Sequence, residues 1–354
     1  MVGLGNMGLS HARAYAALDG YELAGLCTRS IRTRRDLPPA WAEVPRFEDY
    51  GRALATVAPD VVSINTWADT HADYAIRAIN AGAHVFVEKP LAETVADAER
   101  VVKAATEHNR KLVVGYILRV HPSWRKLVEL ARTLGKPLVM RMNLNQQSIG
   151  PAWTWHRSLM QSLPPIVDCG VHYVDIMCQI TRARPVRVHG IGAHLTDEVK
   201  TYNYGQLQVE FDDGSVGWYE AGWGPMMSEV AFFVKDVVGP KGAVSIVMPE
   251  QGHGAERDAA STTSSDIDTH TKTSTIRLHH AALNPDNSLA RPDEVFHMDD
   301  EPGHDELCAR EQAYLLRAIR EGLDLSAHMN DAVNSLRIVL AADESIRTRQ
   351  VVTL

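Results

Sequence analysis

Cysteine is scarce in this chain and isolated where it occurs: Cys27, Cys169, Cys178 and Cys308 show no CxxC spacing. That argues against a zinc knuckle or a disulfide framework, and no metal centre is expected. Long apolar runs are missing too. No stretch approaches the length of a membrane span, and the sequence opens on a glycine loop rather than on a charged segment leading into a signal-peptide core. The expectation is a cytoplasmic protein with no membrane partner. Positive charge is not in excess: the formal net charge is -8, which excludes a broad surface for the phosphate backbone of a nucleic acid. The basic run "TRSIRTRR", residues 28–35, is the local exception. No internal repeat occurs at a solenoid period.

What is present falls into two regimes. A chain of 354 residues is too long for one ordinary core and suits two domains. Residues 1–120 alternate short β-rich runs ("YELAGLCT", "DVVSINT", "HVFVEKP", "KLVVGYILR") with Ala-rich amphipathic stretches such as "THADYAIRAINAG". That alternation predicts a parallel sheet with crossover helices. Over residues 121–354 strands follow one another in series ("KPLVMRMNLNQ", "VRVHGIGAHL", "GQLQVEFDDGSVGWYEAGW", "VAFFVKDVVG", "GAVSIVM", "STIRLHH"), with a hairpin turn at "DDG", 212–214. This predicts an α/β domain built on a large, mainly antiparallel open sheet. Helices interrupt it around 155–182, and a helical tail covers "DELCAREQAYLLRAIREG" and "NDAVNSLRIVLAADESIR", part of which is expected to pack back on the first domain. The polar stretch "QGHGAERDAASTTSSDIDTH" reads as a mobile insertion loop.

"GLGNMG" at Gly3 to Gly8 matches G-x-G-x-x-G. Gly3 permits the tight turn, Gly5 lets a pyrophosphate approach the backbone, and Gly8 lets the following helix pack on the sheet, with Asn6 and Met7 opening that helix toward the phosphates. Only Met1 and Val2 precede the loop, so either a few upstream residues are missing or the first strand is stunted; the former is expected. The second strand lacks the acidic residue that would bind the 2′-hydroxyl of NAD. Thr28, Arg29 and Ser30 stand there instead and suit a 2′-phosphate, which favours NADP over NAD.

"VDCGVHYVD", residues 167–175, places Asp168 and His172 four residues apart, on one face of a helix. On spacing alone two readings stay open: an N-cap beside a packed histidine, or a proton relay.

The ordered set "GLGNMG", "DVVSINTWADTH", "AGAHVFVEKPLA", "LVVGYILRVHP", "VDCGVHYVD" and "DAVNSLRIVLAADES" resembles the Gfo/Idh/MocA oxidoreductases over essentially the whole length. Trp67, Asp69 and Val120 depart from residues common in that family. The resemblance implies an NAD(P)-binding first domain whose cofactor contacts extend to Thr66, Trp67, His71, Glu88 and Lys89. It implies that Lys89, Asp168 and His172 take the catalytic positions, and that the second sheet often carries a dimer or tetramer interface on its other face. Family members often have a cis bond at the position of Lys89–Pro90.

Oxidation of a secondary alcohol needs a base for the hydroxyl proton and positive charge near the developing alkoxide. His172 suits the first, oriented by Asp168, and Lys89 the second. Tyr116, Arg119, His121, Asn143, Gln146, Trp153, Trp155 and His156 supply amides, imidazoles and indoles suited to a sugar or cyclitol, although paired tryptophans could equally pack a seam. Two alternatives are carried: a cofactor-retaining glycosidase or epimerase of the same family, and a non-enzymatic sensor.

Overall fold

The computed structural model describes residues 1–227, 234–247 and 275–354. The expected insertion loop, and the beginning of "VAFFVKDVVG", lie outside the described residues. The chain divides into two compact units, Met1–Ile117 with Gly303–Leu336, and Leu118–Pro302 with Arg337–Leu354.

In the first unit, Leu26–Cys27 (β1) pairs in parallel with Arg46–Phe47 (β2), while Val61–Ile64 (β3), His84–Val87 (β4) and Leu112–Val114 (β5) form a parallel sheet in that order. Val2 bridges in parallel to both Cys27 and Ile64. Strand β4 owes its central place to composition: Val85, Phe86 and Val87 are all fully buried, each worth roughly 1.5–3 kcal/mol of transfer free energy. A strand covered on both faces reads as a continuous apolar run. The helices between the strands begin where side chains can cap them. The Asp49 carboxylate accepts from Arg52 N–H ahead of the helix Tyr50–Val57, and the Thr94 hydroxyl accepts from Asp97 N–H ahead of Val95–Glu107.

Two strands are shorter than expected. "YELAGLCT" contributes only Leu26–Cys27, and "KLVVGYILR" stops at Val114 before a short 3₁₀ turn, Ile117–Arg119. In both, the neighbouring strand ends and pairing ends with it.

Among the described residues the second unit holds nine strands: Val139–Gln147 (β6), Pro185–Ala193 (β7), Tyr204–Phe211 (β8), Val216–Gly224 (β9), Lys235–Gly239 (β10), Gly242–Val247 (β11), Thr275–His280 (β12), Glu294–His297 (β13) and Val352–Thr353 (β14). Their order is β13-β12-β11-β10-β6-β9-β8-β7-β14. Every pairing is antiparallel except β6 with β9. The β8–β9 hairpin turns at Asp212–Gly214, with Gly214 at φ +80° as the tight turn requires. Strands β13 and β14 were not foreseen.

One face of this sheet packs on helices, and the approach is close. A Cβ on Gly190 would lie 2.4 Å from the Ala342 carbonyl oxygen and 2.9 Å from Ile346 Cγ1, on the helix Ser326–Thr348. Gly190 N–H also donates to Ser345 Oγ at 2.9 Å. The other face carries a registered row of exposed valines, Val238, Val139 and Val216, beside a polar row of Asp236, Arg141 and Trp218.

Gly190→Ala must push the helix off the sheet. The expected loss is about 1–3 kcal/mol, read from the urea unfolding midpoint. An unchanged midpoint would show that the helix has slack there.

Candidate functional site

The first unit gathers its candidate residues at the carboxyl edge of its strands, where open α/β sheets bind ligands. Gly3 has φ +80°, and a Cβ there would meet the Asn65 carbonyl oxygen at 2.3 Å; one on Gly8 would meet the Gly3 carbonyl oxygen at 2.2 Å. The loop is therefore wedged against β3 and against its own helix, Asn6–Ala17. Gly5 differs, since a Cβ there meets nothing within 4 Å. It stands as N-cap without a side-chain cap, and Gly5 and Asn6 are exposed. An open backbone ahead of uncapped helix N–H groups fits the diphosphate of a dinucleotide.

Around this loop the structure assigns work that the sequence did not show. Within the basic run, the Arg34 guanidinium donates to the Leu4 carbonyl inside the glycine loop and pairs with Asp36. Arg29 and Ser30 are exposed and Thr28 is half-buried. Thr66 and Trp67 follow β3. The Thr66 and Thr70 hydroxyls lie 2.5 Å apart, and Trp67 is 46% exposed.

His71, expected to touch cofactor, is 1% exposed, with Nδ1 2.7 Å from the Pro90 carbonyl and Nε2 3.1 Å from that of Thr66. It ties the loop after β3 to the loop after β4. Burial pushes its pKa down, against the upward pull of the two carbonyls. Glu88 turns inward in the same way: it is buried, with Oε1 2.8 Å from His11 Nε2 and Oε2 accepting from Lys89 N–H at 3.1 Å. Lys89 is half-buried just past β4, and its bond to Pro90 is cis.

In the second unit Asp168 does not cap a helix. It is the last residue of Pro165–Asp168, a helix that starts a turn earlier because Pro165 sits at its first position. The helical path runs on through Cys169 into Gly170–Thr181, which carries His172. Asp168 is 9% exposed and His172 half-buried.

Polar groups gather beside Asp168. Cys169 Sγ lies 3.9 Å from Asp168 Oδ2 and 3.7 Å from Gln146 Oε1, which also accepts from the Trp223 indole N–H at 2.6 Å. Trp223 stacks on His156 at 4.3 Å, and His156 Nδ1 is 2.5 Å from Ser148 Oγ. Gln146, His156 and Asp168 are thus brought together.

The other expected pocket residues have their own surroundings. Asn143 is 2% exposed, and its Oδ1 accepts from Val234 N–H at 3.0 Å. Arg119 pairs with buried Asp175 through two nitrogens. His121 is fully buried at the N-cap of Pro122–Ala131. Tyr116 is buried in the first unit, its hydroxyl 2.9 Å from Ser335 Oγ. Trp153 N–H points to Glu198 at 3.3 Å, while Trp155 is 49% exposed.

Lys235 went unrecognised in the sequence. It is 3% exposed, donates to the Asn143 carbonyl at 3.1 Å and lies 5.7 Å from the centre of the Tyr173 ring. Burial pushes its pKa down to about 7. The signal was the alternation of "VKDVV": if Val237 points inward, so does Lys235.

Residues 1–116 match the model of an oxidoreductase family with an NAD-binding Rossmann fold, and residues 124–245 match that of the GFO/IDH/MocA C-terminal domain. An inositol 2-dehydrogenase of Salmonella paratyphi B is 28% identical over 182 residues, 50% of this chain and 52% of that protein. A UDP-N-acetylglucosamine 3-dehydrogenase of Acidithiobacillus ferrooxidans is 31% identical over 199 residues, 56% of this chain and 59% of that protein. The chain thus spans about half the length of the curated relatives it matches. Among solved structures, an Agrobacterium radiobacter oxidoreductase in complex with NAD+, L-tartaric acid and magnesium superposes with a TM-score of 0.76 at 15% identity, over 99% of this chain and 96% of that one. At that identity the likeness concerns the fold. Among the described residues, no helix is long and apolar enough to cross a membrane.

The buried ammonium of Lys235 gives a signed prediction. Its folded pKa lies near 7 against 10.5 unfolded, so between these values the unfolded chain binds more protons and stability rises with pH. Below about pH 7 the charged form is buried at full cost, on the order of 5 kcal/mol at most. Lys235→Met should raise stability by a few kcal/mol near pH 6 and by much less near pH 10, as read by chemical denaturation. Equal effects at both would refute the buried charge.

Proposed function

The chain belongs to the Gfo/Idh/MocA oxidoreductase family, and from that premise we propose that it is an NAD(P)-dependent dehydrogenase of a sugar or cyclitol secondary alcohol. The observation that carries the reading is the presence of two sets of residues, each within its own unit: the glycine cradle with Lys89 past β4, and the Asp168–His172 pair on consecutive helical turns. Bound NAD(P) would supply the hydride acceptor. His172 takes the hydroxyl proton at its ring, since an imidazole is a usable acceptor near neutrality. Asp168 orients that ring or a neighbouring hydroxyl. The Lys89 ammonium steadies the oxygen as it becomes alkoxide-like.

Among the cofactors, NADP is favoured by Thr28, Arg29 and Ser30 after β1, two of them exposed. The substrate class is supported by the amide, imidazole and indole groups beside Asp168, and by similarity to dehydrogenases of inositol and of UDP-N-acetylglucosamine. A second copy of the chain would cover the exposed valine row of the large sheet, giving a dimer or tetramer.

The test is incubation with NADP or NAD and a panel of inositols, aldoses and glycosides, followed by nicotinamide absorbance. Reduction should appear with at least one polyol, be tighter in NADP than in NAD, and fall about 100-fold or more in Lys89→Ala. Clearly tighter NAD binding would overturn the NADP preference. No reduction with any polyol, in protein that retains cofactor through purification, would replace the dehydrogenase with the cofactor-retaining glycosidase or epimerase.

A further inference from the structure

The carboxylate that grips the Lys89 amide is one end of a longer chain inside the first unit. His11 is fully buried, its ring 4.6 Å from that of Phe86. Its Nε2 faces Glu88, and its Nδ1 lies 2.9 Å from the Gln312 side-chain nitrogen. Gln312 is also fully buried, and its Oε1 accepts the Tyr15 hydroxyl at 2.5 Å.

Donor and acceptor chemistry gives this chain a direction. The Gln312 oxygen is engaged by Tyr15, so its NH2 faces His11 and Nδ1 must accept. The ring proton then sits on Nε2 and is donated to Glu88. Glu88 accepts at both oxygens, from His11 and from Lys89 N–H, as a carboxylate can.

A second carboxyl, Glu311, lies 4.0 Å from His11 Nε2 and is 3% exposed. Burial first, and Glu88 second, push its pKa well above the usual carboxylate range. Cys308, on the same helix, is held as the thiol by burial. The titratable groups facing His11 are therefore Tyr15 from its own helix, Glu88 from the sheet, and Cys308 and Glu311 from His304–Arg320.

We propose that Tyr15, Gln312 and His11 are positioning residues for Lys89, forming a one-directional hydrogen-bond chain that ends on Glu88 and holds its carboxylate against the Lys89 amide. The proposal rests on the reading of Lys89 as the group that meets the substrate oxygen. Its two carboxyls have different roles: Glu88 makes both contacts that end the chain, while Glu311 lies 4.0 Å from His11 Nε2 and makes neither of them.

The test uses the full chain in two arms. Nitrogen NMR of histidine-labelled protein, with His11 assigned through His11→Gln, should show the proton on Nε2 and Nδ1 unprotonated. In Gln312→Leu the Nδ1 resonance should move, because it loses the hydrogen bond it accepts. In the kinetic arm, Glu88→Gln and Gln312→Leu should lower kcat about 10- to 100-fold, with KM for the polyol within about twofold, while Glu311→Gln keeps both within about twofold. A proton on Nδ1, a doubly protonated ring, or equal losses in Glu311→Gln and Glu88→Gln would overturn the proposal. Should no polyol be oxidised, the dehydrogenase reading fails by itself, and the NMR arm still decides the chain.

Discussion

The nucleotide edge of the first unit depends on how closely one stretch of backbone can approach another. Gly3 sits where any side chain would collide with the Asn65 carbonyl, and Gly8 where one would collide with Gly3 itself. Removing the side chains lets the loop lie flat between β3 and its own helix. Arg34 then fastens the loop through the Leu4 carbonyl, and His71 fastens the two loops beyond it by engaging Thr66 and Pro90. The edge is thus made of backbone held to backbone, with side chains turned inward as ties. Gly5 alone keeps an open face, at the start of the helix, where an anion gains most from the unsatisfied N–H groups.

The second unit solves a different problem, placing polar groups in a low-dielectric interior. Asp175 is almost fully buried, yet two guanidinium nitrogens of Arg119 and the Gln179 amide satisfy it. A buried pair of this kind adds little net stability but is costly to break, so it fixes geometry more than it adds free energy. The cluster of Gln146, Ser148, His156 and Trp223 works likewise. Its stacked rings and short hydrogen bonds leave each ring few alternative orientations beside Asp168.

How much could be read beforehand follows from the range of the interactions. The two kinds of sheet, the glycine cradle and the helical tail were legible because each rests on local periodicity or on a motif. The short extent of β1 was not, since pairing there depends on what lies alongside. Asp168 was taken as a possible cap although "LPPIVD" held the correction: a proline at the first helical position moves the start of the helix upstream. Lys235 could have been found by carrying the alternation back from Val237. The pairing of His11 with Glu88 and Gln312 spans 77 and 301 residues, and no local pattern announces it. Tyr116 and Asn143 are expected in the pocket from residue type, which does not tell how far either is buried.

The cysteines, first met as a scarcity, carry a practical meaning once placed. All four are buried, Cys27 and Cys308 in the first unit, Cys169 and Cys178 in the second. Thiolate character and access both govern reaction with an alkylating reagent, and burial withholds access in every case. The native chain is thus dark to such a reagent, and each thiol lights up only when its own surroundings open. Nature has installed two reporters in each unit, so the order in which the four become labelled would give the sequence in which the molecule comes apart.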